Sequence, residues 1–353
     1  MKKRYLVFVS DAARTCGVEE FTRQLARRFG ARARAQVLNA DLAGLARALK
    51  DTDAVVLNFP VVAWKRKLVS PFLAALLARL FRREVVVVLH EWQALDWKRR
   101  LVLAPVVFLA GRVCFSAPEI AAEFAASRLS SVTTRDRRIV PIPPNLVPPP
   151  VLQPSAHSQA LREQRRNGRL ILGQFGSIYP KKQSTAVLHV AARLIEEGHD
   201  VGIVFAGSFI KGMDNVEEEF FGLARRLGVM DRLLVTGYIA GESELFAIFR
   251  EIDVFCYLFP EGLTSRRGSV LAAALFGKPV VVNAPENAGA LDHHGLFRRL
   301  LATGALRLVA THADIPTVAQ AVLDAHRQAP EVLDFHAEIE GVWQAIVETV
   351  DRP

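Results

Sequence analysis

A polar loop at residues 260–269 carries the side chains with the clearest chemical potential. Its carboxylate, hydroxyl and guanidinium groups belong to Glu261, Thr264, Ser265, Arg266 and Arg267, and Gly268 follows them. A guanidinium can hold a phosphate through two parallel hydrogen bonds, and the free N–H groups that begin a helix favour an anion. Glu261 would repel phosphate and suits sugar hydroxyl groups instead. The loop therefore predicts a site for a phosphorylated sugar, and the alternative is a capped helix with two solvated arginines.

A buried strand and a short helix must position this loop. Residues 254–259 form an apolar run rich in aromatic and β-branched residues, which indicates a strand buried on both faces of a parallel sheet. Ser269 is predicted to be the N-cap of the helix, which starts near Gly268. Gly277 fits the C′ position after the helix, before a strand at 280–282. The helix start is thereby placed directly after the two arginines.

The same alternation of apolar runs and helical patterns extends over most of the chain. It predicts strands at residues 5–9, 36–38, 54–59, 84–89, 112–115, 138–142, 170–175, 201–205, 233–235, 254–259, 280–282 and 306–309. Such alternation is typical of parallel α/β sheets, in which ligands bind beyond the carboxyl ends of the strands. Seven prolines within residues 141–154 indicate a linker. The predicted domains are thus 1–150 and 151–330, followed by a helical segment at 331–353.

The order of segments around the polar loop resembles the donor site of GT-B glycosyltransferases, especially the retaining family four. The shared order is a strand, Pro-Glu-Gly-Leu at 260–263, a polar loop, a helix of small residues, and Gly-x-Pro-Val-Val from Gly277. Glu261 matches the first of the family's two glutamates, whereas Ser269 stands where the second is expected. The resemblance implies two Rossmann-like parallel-sheet domains that face each other across a cleft. It also implies a C-terminal helix that crosses back to the first domain.

The resemblance extends to two other loops of the second domain. In one of them the family holds the donor diphosphate with an Arg and a Lys; Lys182 matches the Lys, and Ser177 stands in place of the Arg, so that Arg266 or Arg267 would supply the missing cation. A Thr-Gly-Tyr segment ending at Tyr238 matches the surroundings of the base pocket. Two solvated lysines and a β-turn are the alternatives. The implied donor-binding residues are Gly176, Ser177, Lys182, Gly237, Tyr238, Arg266, Arg267, Gly268 and Ser269.

Two loops of the first domain carry further candidate residues. His90 and Glu91 directly follow a buried strand, which is a frequent position for site residues. In the family a His at this place lines the cleft near the transferred sugar, and His90 matches it; a His that caps the next helix is the alternative. Gly17 and Glu19, with Cys16 before them, match part of a Gly-Gly-x-Glu motif, although a plain helix start explains the pattern as well. Gly17, Glu19 and Glu91 are assigned to the acceptor side.

The composition limits the class of protein. The chain has 353 residues, of which 51% are hydrophobic and 23% are charged, as expected for a globular protein with two cores. Its three cysteines lack any spacing typical of a zinc site or a disulfide framework, which favours a reducing cytoplasm. The apolar stretches are too short for a signal peptide or a membrane-spanning helix, so neither is expected. No metal is expected, and no cofactor apart from the nucleotide sugar as substrate.

The net charge of +9 is concentrated in the first domain. Residues 1–150 carry 25 Lys and Arg against 12 Asp and Glu, whereas the remaining residues carry 20 against 24. A basic half favours a polyanionic partner. Because no nucleic-acid-binding signature accompanies the basic residues, an anionic membrane surface is favoured and nucleic acid is not.

A helix predicted to begin at Ser70 carries the membrane prediction. Its apolar face would consist of Phe72, Leu73, Leu76, Leu77 and Leu80, and the basic residues around it are Lys65, Arg66, Lys67, Arg79, Arg82 and Arg83. Residues 64–83, with a second basic cluster at 97–100, are thus predicted to contact the inner face of the plasma membrane peripherally. An ordinary core-packing helix with a solvated basic rim is the alternative.

With the resemblance, these features favour a glycosyltransferase that moves a sugar from a nucleotide sugar to a glycan or lipid-linked acceptor, in cell-surface polysaccharide or lipopolysaccharide synthesis. The leaving diphosphate gains negative charge as the bond breaks, so Lys182, Arg266 and Arg267 would stabilise it without a metal. His90 and Glu261 would orient the sugar as the catalytic residues, and the resemblance implies a retaining reaction. The alternatives are a nucleotide-sugar epimerase or sugar phosphorylase of the same fold, or a non-catalytic nucleotide-sugar-binding protein.

Overall fold

The computed structural model describes residues 3–11, 17–39, 41–61, 64, 69–144, 146–210 and 215–352. The chain divides into two units. Unit 1 consists of Met1–Asn145 together with Glu340–Pro353, and unit 2 consists of Leu146–Ile339. The division of the chain thus falls inside the proline-rich segment at residues 141–154.

Unit 1 contains a six-stranded parallel sheet in the order β2-β1-β3-β4-β5-β6. Its strands are β1 Tyr5–Val9, β2 Ala33–Val37, β3 Ala54–Phe59, β4 Glu84–Leu89, β5 Arg112–Phe115 and β6 Arg137–Ile139. The helices described between them are α1 Gly17–Phe29, α2 Leu42–Lys50, α3 Ser70–Leu80, α4 Trp97–Leu109 and α5 Pro118–Ala125. Strands β1, β3 and β4 are almost entirely buried, because helices cover both faces of a parallel sheet.

Unit 2 contains a second six-stranded parallel sheet, in the order β12-β11-β10-β7-β8-β9. Its strands are β7 Leu170–Phe175, β8 Val201–Ala206, β9 Leu233–Val235, β10 Val254–Tyr257, β11 Val280–Asn283 and β12 Leu306–Val309. The helices described around them are α6 Ala156–Arg166, α7 Ser184–Glu196, α8 Val216–Arg226, α9 Glu242–Glu251, α10 Gly268–Leu275, α11 Gly295–Ala302 and α12 Ile315–Arg327. This strand order is that of a Rossmann-like domain.

The predicted parallel α/β architecture is confirmed, and every predicted strand overlaps a strand of the structure. The boundaries differ most at strands with mixed or interrupted patterns. Strand β2 begins three residues earlier than predicted, because an edge strand can carry the exposed Arg34. Strand β6 ends at Ile139, before Pro141, which has no N–H to donate to a neighbouring strand.

The C-terminal helix α13, Phe335–Asp351, contributes residues to both units. Its last turn is tied to the unit 1 sheet, where the Tyr5 hydroxyl donates to Asp351 Oδ1 at 2.7 Å. Arg112 Nη1 donates to the Val350 carbonyl at 2.5 Å, and Arg32 Nη1 donates to Asp351 Oδ2 at 2.8 Å. The end of the chain is therefore part of the unit 1 fold.

Helix α3 packs against the core through its small residues, and the predicted membrane contact of its larger apolar residues stays a prediction. The buried face consists of the small residues Ala74, Ala75 and Ala78, while Phe72 and Leu77 pack only partly against the core and Leu80 is exposed. Alanines bring the helix close to the sheet, so the larger side chains are displaced toward its flanks. Lys65, Arg66 and Lys67 lie outside the described residues. Among the described helices none is long and apolar enough to cross a bilayer.

Candidate functional site

The strand order of unit 2 reverses direction between β7 and β10. Chain connections lead from β7 through β8 to β9 on one side and from β10 through β11 to β12 on the other. Loops that leave two such neighbouring strands diverge, and the crevice beyond their carboxyl ends is where open α/β sheets bind ligands. The loop after β7 contains Gly176, Ser177 and Lys182, and the loop after β10 contains residues 258–267. The structure thus brings these two predicted loops to one edge of the sheet.

Lys182 occupies the center of this edge. Its side chain is buried, its ammonium group donates to the Phe175 carbonyl, and its Nζ lies 5.4 Å from the centroid of the Tyr257 ring. Burial, together with the positive charge of Arg267, lowers the pKa of Lys182 to about 7. Among the residues that the structure describes, no carboxylate forms an ion pair with this buried lysine, so an anionic ligand would stabilise its charged form.

Tyr257 connects the two loops. Its hydroxyl accepts a hydrogen bond from the Phe175 N–H at 3.1 Å and lies 3.4 Å from the Ser269 carbonyl, to which it can donate. Because the ring is fully buried, it holds the end of β7 and the start of α10 in a fixed relation. This contact explains how residues separated by 80 or more positions in sequence can act on one ligand.

Glycines allow the loops after β7 and β8 to approach each other. Gly176 has a φ of +104°, and a β-carbon there would lie 2.7 Å from Lys182 Nζ. A β-carbon on Gly207 would lie 2.2 Å from the Gly176 carbonyl oxygen. The sequence prediction missed Gly207, although a glycine directly after the buried strand β8 was a usable signal.

The loop after β9 holds the predicted base-side residues. Gly237 has a φ of +74°, which explains the glycine there, and Tyr238 is 82% exposed. The Thr236 hydroxyl accepts a hydrogen bond from the Gly207 N–H at 3.1 Å, so this loop is tied to the loop after β8. An exposed tyrosine beside a rigid turn offers an aromatic face to a ligand.

Arg267 and Glu261 form an ion pair in the loop after β10. The Arg267 guanidinium lies over the Phe259 ring, 4.1 Å from its centroid, and its Nε is buried without a hydrogen-bond partner among the described residues. Glu261 and Arg266 are exposed, whereas the Ser265 side chain is buried. The Ser265 hydroxyl has no hydrogen-bond partner among the residues that the structure describes. The predicted cations therefore differ, because Arg267 is held by its ion pair and its ring contact, whereas the Arg266 side chain is exposed.

The predicted N-cap of helix α10 is wrong by two residues. The structure has Arg267 at the N-cap, Gly268 as the first helical residue and Ser269 within the first turn. The Arg267 side chain does not cap the helix by a hydrogen bond. The N–H groups of Val270 and Leu271 both donate to the Arg267 carbonyl. The early start is compatible with Gly268, since a glycine can enter a helix directly from a tight turn. The predicted C′ residue, Gly277, is confirmed by its φ of +77°.

His90 follows β4 in unit 1 and is nearly buried. Its Nε2 lies 3.3 Å from the Asn58 Oδ1, and the Phe21 ring packs against the imidazole with centroids 5.1 Å apart. Glu91 beside it is half-buried. The sequence prediction missed Asn58, whose signal was a polar residue inside the buried strand β3.

Glu19 binds the end of β1 to helix α1. Its Oε1 accepts from the Ser10 N–H at 2.9 Å and lies 2.8 Å from Arg23 Nη2, which also donates to the Ser10 carbonyl. Gly17 is the first residue of α1, and Cys16 lies outside the described residues. These contacts give Glu19 a structural task, and the acceptor-side assignment of Gly17, Glu19 and Glu91 stays a prediction. The described residues contain no group of three or more His, Cys, Asp or Glu that could hold a metal ion.

Solved structures resemble the chain over nearly its whole length. HepE from Anabaena, in complex with UDP and glucose, has a TM-score of 0.62 at 16% identity, covering 99% of this chain and 97% of that one. WaaG, a glycosyltransferase involved in lipopolysaccharide biosynthesis, has a TM-score of 0.56 at 14% identity, covering 99% and 95%. MnaA from S. aureus with UDP has a TM-score of 0.50 at 12% identity, covering 99% and 92%.

No protein-family model matches the chain, and no curated protein sequence matches it. At 12–16% identity the structural likeness establishes the fold. The chain has two Rossmann-like domains of the GT-B class, as predicted. The activity has to be inferred from the residues at the carboxyl edges of the two sheets.

Proposed function

We propose that the protein transfers a sugar from a nucleotide-sugar donor to a glycan or lipid-linked acceptor. The observation that carries the proposal is the convergence of buried Lys182 and the Glu261–Arg267 pair at the point where the unit 2 strand order reverses. Similar structures were solved with UDP and with UDP-glucose, both in HepE from Anabaena. A uridine nucleotide sugar is therefore the first donor to test.

Each proposed donor contact follows from charge and exposure. Lys182 and Arg267 would hold the diphosphate, and the exposed Arg266 would add a further positive charge. The first turn of α10, which contains Gly268 and Ser269, would present its N–H groups to the same anion. Tyr238 would stack on the base. These cations supply the positive charge that the leaving diphosphate requires, so the reaction is proposed to need no metal.

Glu261 in unit 2 and His90 in unit 1 are proposed to be the catalytic residues that orient the sugar. Glu261 is an exposed carboxylate next to the cations of the donor loop, and it can accept hydrogen bonds from sugar hydroxyl groups. His90 has its ring held by Asn58 and Phe21, so its orientation is set before a ligand arrives. Membership of the retaining family four, and retention at the anomeric carbon, rest on the resemblance of the donor loop.

Thermal unfolding with a panel of nucleotide sugars tests this proposal. A ligand at 100 times its dissociation constant adds about 2.7 kcal/mol to the free energy of unfolding, which is readily measured as a shift in Tm. UDP-sugars are expected to raise the Tm, and sugars without a nucleotide are not. Release of nucleoside diphosphate only on addition of an acceptor would then exclude an epimerase and a non-catalytic binding protein. A panel that leaves the Tm unchanged contradicts the proposal.

Diphosphate binding is expected to be linked to proton uptake. The pKa of Lys182 is lowered to about 7, so at pH 8 its side chain is mostly neutral, and a bound diphosphate would favour the charged form. Affinity should therefore fall as the pH rises above 7, with roughly one proton taken up per diphosphate at pH 8. Titration calorimetry in two buffers of different ionisation enthalpy measures this uptake. Equal heats in both buffers would contradict the assignment of Lys182.

The same group predicts how the unliganded protein responds to pH. The folded pKa of Lys182 lies below the usual value of 10.5, so between these values the unfolded chain binds the extra proton. Its contribution therefore makes the folded state more stable as the pH rises from about 7 toward 10.5. Replacing Lys182 by Met should remove this part of the pH dependence.

A membrane contact is proposed through the outer surface of helices α3 and α4, which pack against each other in unit 1. Five large apolar side chains there are between 59% and 70% exposed: Val69, Leu80, Trp97, Leu101 and Phe108. Exposed Arg79, Arg82 and Lys98 lie on or beside the same helices, and the Lys98 ammonium lies 5.6 Å from the Trp97 ring centroid. Apolar side chains mixed with basic residues suit the interface of an anionic bilayer. The proposed location is the cytoplasmic face of the plasma membrane, where a lipid-linked acceptor in cell-surface polysaccharide or lipopolysaccharide synthesis would be reached.

Vesicle co-sedimentation tests the membrane contact. Each basic residue near an anionic surface contributes roughly 1 kcal/mol, so replacing Arg79, Arg82 and Lys98 by Glu should weaken binding to phosphatidylglycerol vesicles by about 100-fold or more. Leu101→Ser should also weaken it. Val332→Ser is the matched control, because Val332 is as exposed as these residues but belongs to unit 2. Binding that ignores lipid charge and salt would overturn the contact and the preference for a lipid-linked acceptor.

A further inference from the structure

Asn283, the last residue of β11, has a buried side chain that hydrogen-bonds to the backbone on both sides of the strand. Its Oδ1 accepts from the Phe259 N–H at 2.9 Å, and its Nδ2 donates to the Phe259 carbonyl at 2.7 Å. The same Nδ2 donates to the Thr311 carbonyl at 3.0 Å. One amide side chain thus bonds to the segments that follow β10 and β12.

The Asn283 side chain forms hydrogen bonds where the backbone pairing of β10 with β11 has ended. The register of β10 with β11 stops at Tyr257 opposite Val282, although the sequence predicted a strand as far as Phe259. Beyond that point the N–H group of Phe259 would be buried without a strand partner, and its carbonyl would keep only the hydrogen bond from the Gly262 N–H at 3.0 Å. The Asn283 amide offers one acceptor and two donors, so it pairs with both groups. The Asn283 side chain thus supplies Phe259 with the acceptor and the donor that a neighbouring strand would otherwise supply.

Phe259 positions the proposed donor loop at residues 260–267. The Arg267 guanidinium packs over the Phe259 ring, and Pro260 and Glu261 directly follow Phe259 in the chain. The Leu263 N–H donates to the Asn283 carbonyl at 3.1 Å, so Asn283 holds the loop on both sides of Glu261. Gly262 lies so close to the segment after β11 that a β-carbon would be 2.1 Å from the Ala284 carbonyl oxygen.

We infer that Asn283 is a positioning residue, whose side-chain amide fixes Phe259 and thereby the places of Glu261 and Arg267 at the proposed donor site. The inference rests on the proposed function for its consequence, which is an effect on turnover. Asn283 itself touches the loop backbone and acts on a ligand through Glu261 and Arg267.

The isosteric change Asn283→Asp tests the inference most sharply. An aspartate keeps the acceptor for the Phe259 N–H but loses both donors and brings a negative charge against the carbonyls of Phe259 and Thr311. Asn287→Asp makes the same chemical change at an exposed position in the loop after β11 and is the matched control. Asn283→Ala removes all three hydrogen bonds without adding charge, and serves if the aspartate variant fails to fold.

Two readouts are combined. Trypsin cleaves after Arg266 and Arg267, so loosening of the loop should raise the rate of nicking there by about tenfold or more in Asn283→Asp, with Asn287→Asp unchanged. The kcat for sugar transfer should fall by a similar factor. Nucleoside diphosphate affinity should also fall, but by less than in Arg267→Ala, because Arg267 is displaced without losing its charge and buried Lys182 lies on the loop after β7. A change that only lowered the stability of the whole protein would alter neither the nicking of the folded protein at this loop nor the kcat per folded molecule.

The outcomes separate this inference from the proposed function. Wild-type nicking in Asn283→Asp, or wild-type kcat in a protein whose loop is nicked faster, overturns the positioning role. If the wild-type protein turns over no nucleotide sugar, the proposed function fails. The nicking comparison then still decides whether Asn283 holds the loop.

Discussion

Glu261→Gln should lower kcat by about 100-fold or more while nucleoside diphosphate still binds. The change keeps the shape of the side chain and removes the charge that is proposed to strengthen hydrogen bonds to the sugar as the glycosidic bond breaks. The structure adds a further expectation, because Glu261 pairs with Arg267. Removing the carboxylate frees the guanidinium for the diphosphate, so its affinity should be unchanged or tighter. Turnover and calorimetric titration of UDP measure the two effects.

Glu286→Gln is the control for this prediction, because Glu286 is an exposed carboxylate in the neighbouring loop after β11. His90→Ala in unit 1 should also lower kcat, with nucleotide affinity retained. Equal activity in a folded Glu261→Gln protein would reduce Glu261 to a counterion of Arg267.

Lys182→Met should weaken nucleoside diphosphate binding by roughly 1.5–3 kcal/mol, a factor of about 10 to 150, which is the scale of a hydrogen bond to a charged group. The same variant should raise the Tm of the unliganded protein. A buried lysine with a pKa near 7 is costly to fold around, and methionine fills a similar volume without a charge. Opposite changes in affinity and stability would separate a binding role from a structural one.

Lys278→Met supplies the matched control. Lys278 is also mostly buried, its pKa is lowered to about 8 chiefly by burial, and its ammonium donates to the Arg250 carbonyl. It precedes β11, at the amino end of the strands, so the change should leave diphosphate binding intact. Arg267→Ala should resemble Lys182→Met in affinity. If Lys182→Met and Arg267→Ala both bind like the wild type, the donor assignment is wrong.

The strands could be predicted from sequence because each buried parallel strand is a continuous apolar run. The order of the strands could not be predicted, because β7 pairs with β10 through residues 82 positions apart, such as Leu172 and Val254, and no local pattern indicates that pairing. That pairing is what makes the edge near Lys182 and Arg267 a site. The family resemblance indicated which residues lie at this edge, but it did not indicate their burial or their contacts.

The errors and omissions have physical causes. Ser269 was expected at the N-cap because serine prefers that position, yet the loop conformation places Arg267 there. Asn283 was not singled out because a polar residue at a strand end looks like the start of a loop. Its role depends on backbone groups of two other segments.

The most direct test of the central claim is the release of nucleoside diphosphate from a UDP-sugar, measured with wild-type protein and the Lys182→Met and Lys278→Met variants. We expect release by the wild type and by Lys278→Met when an acceptor extract is added, and a rate at least 10-fold lower for Lys182→Met at a donor concentration below KM. Equal rates for Lys182→Met and the wild type would contradict a donor site at the carboxyl ends of β7 and β10.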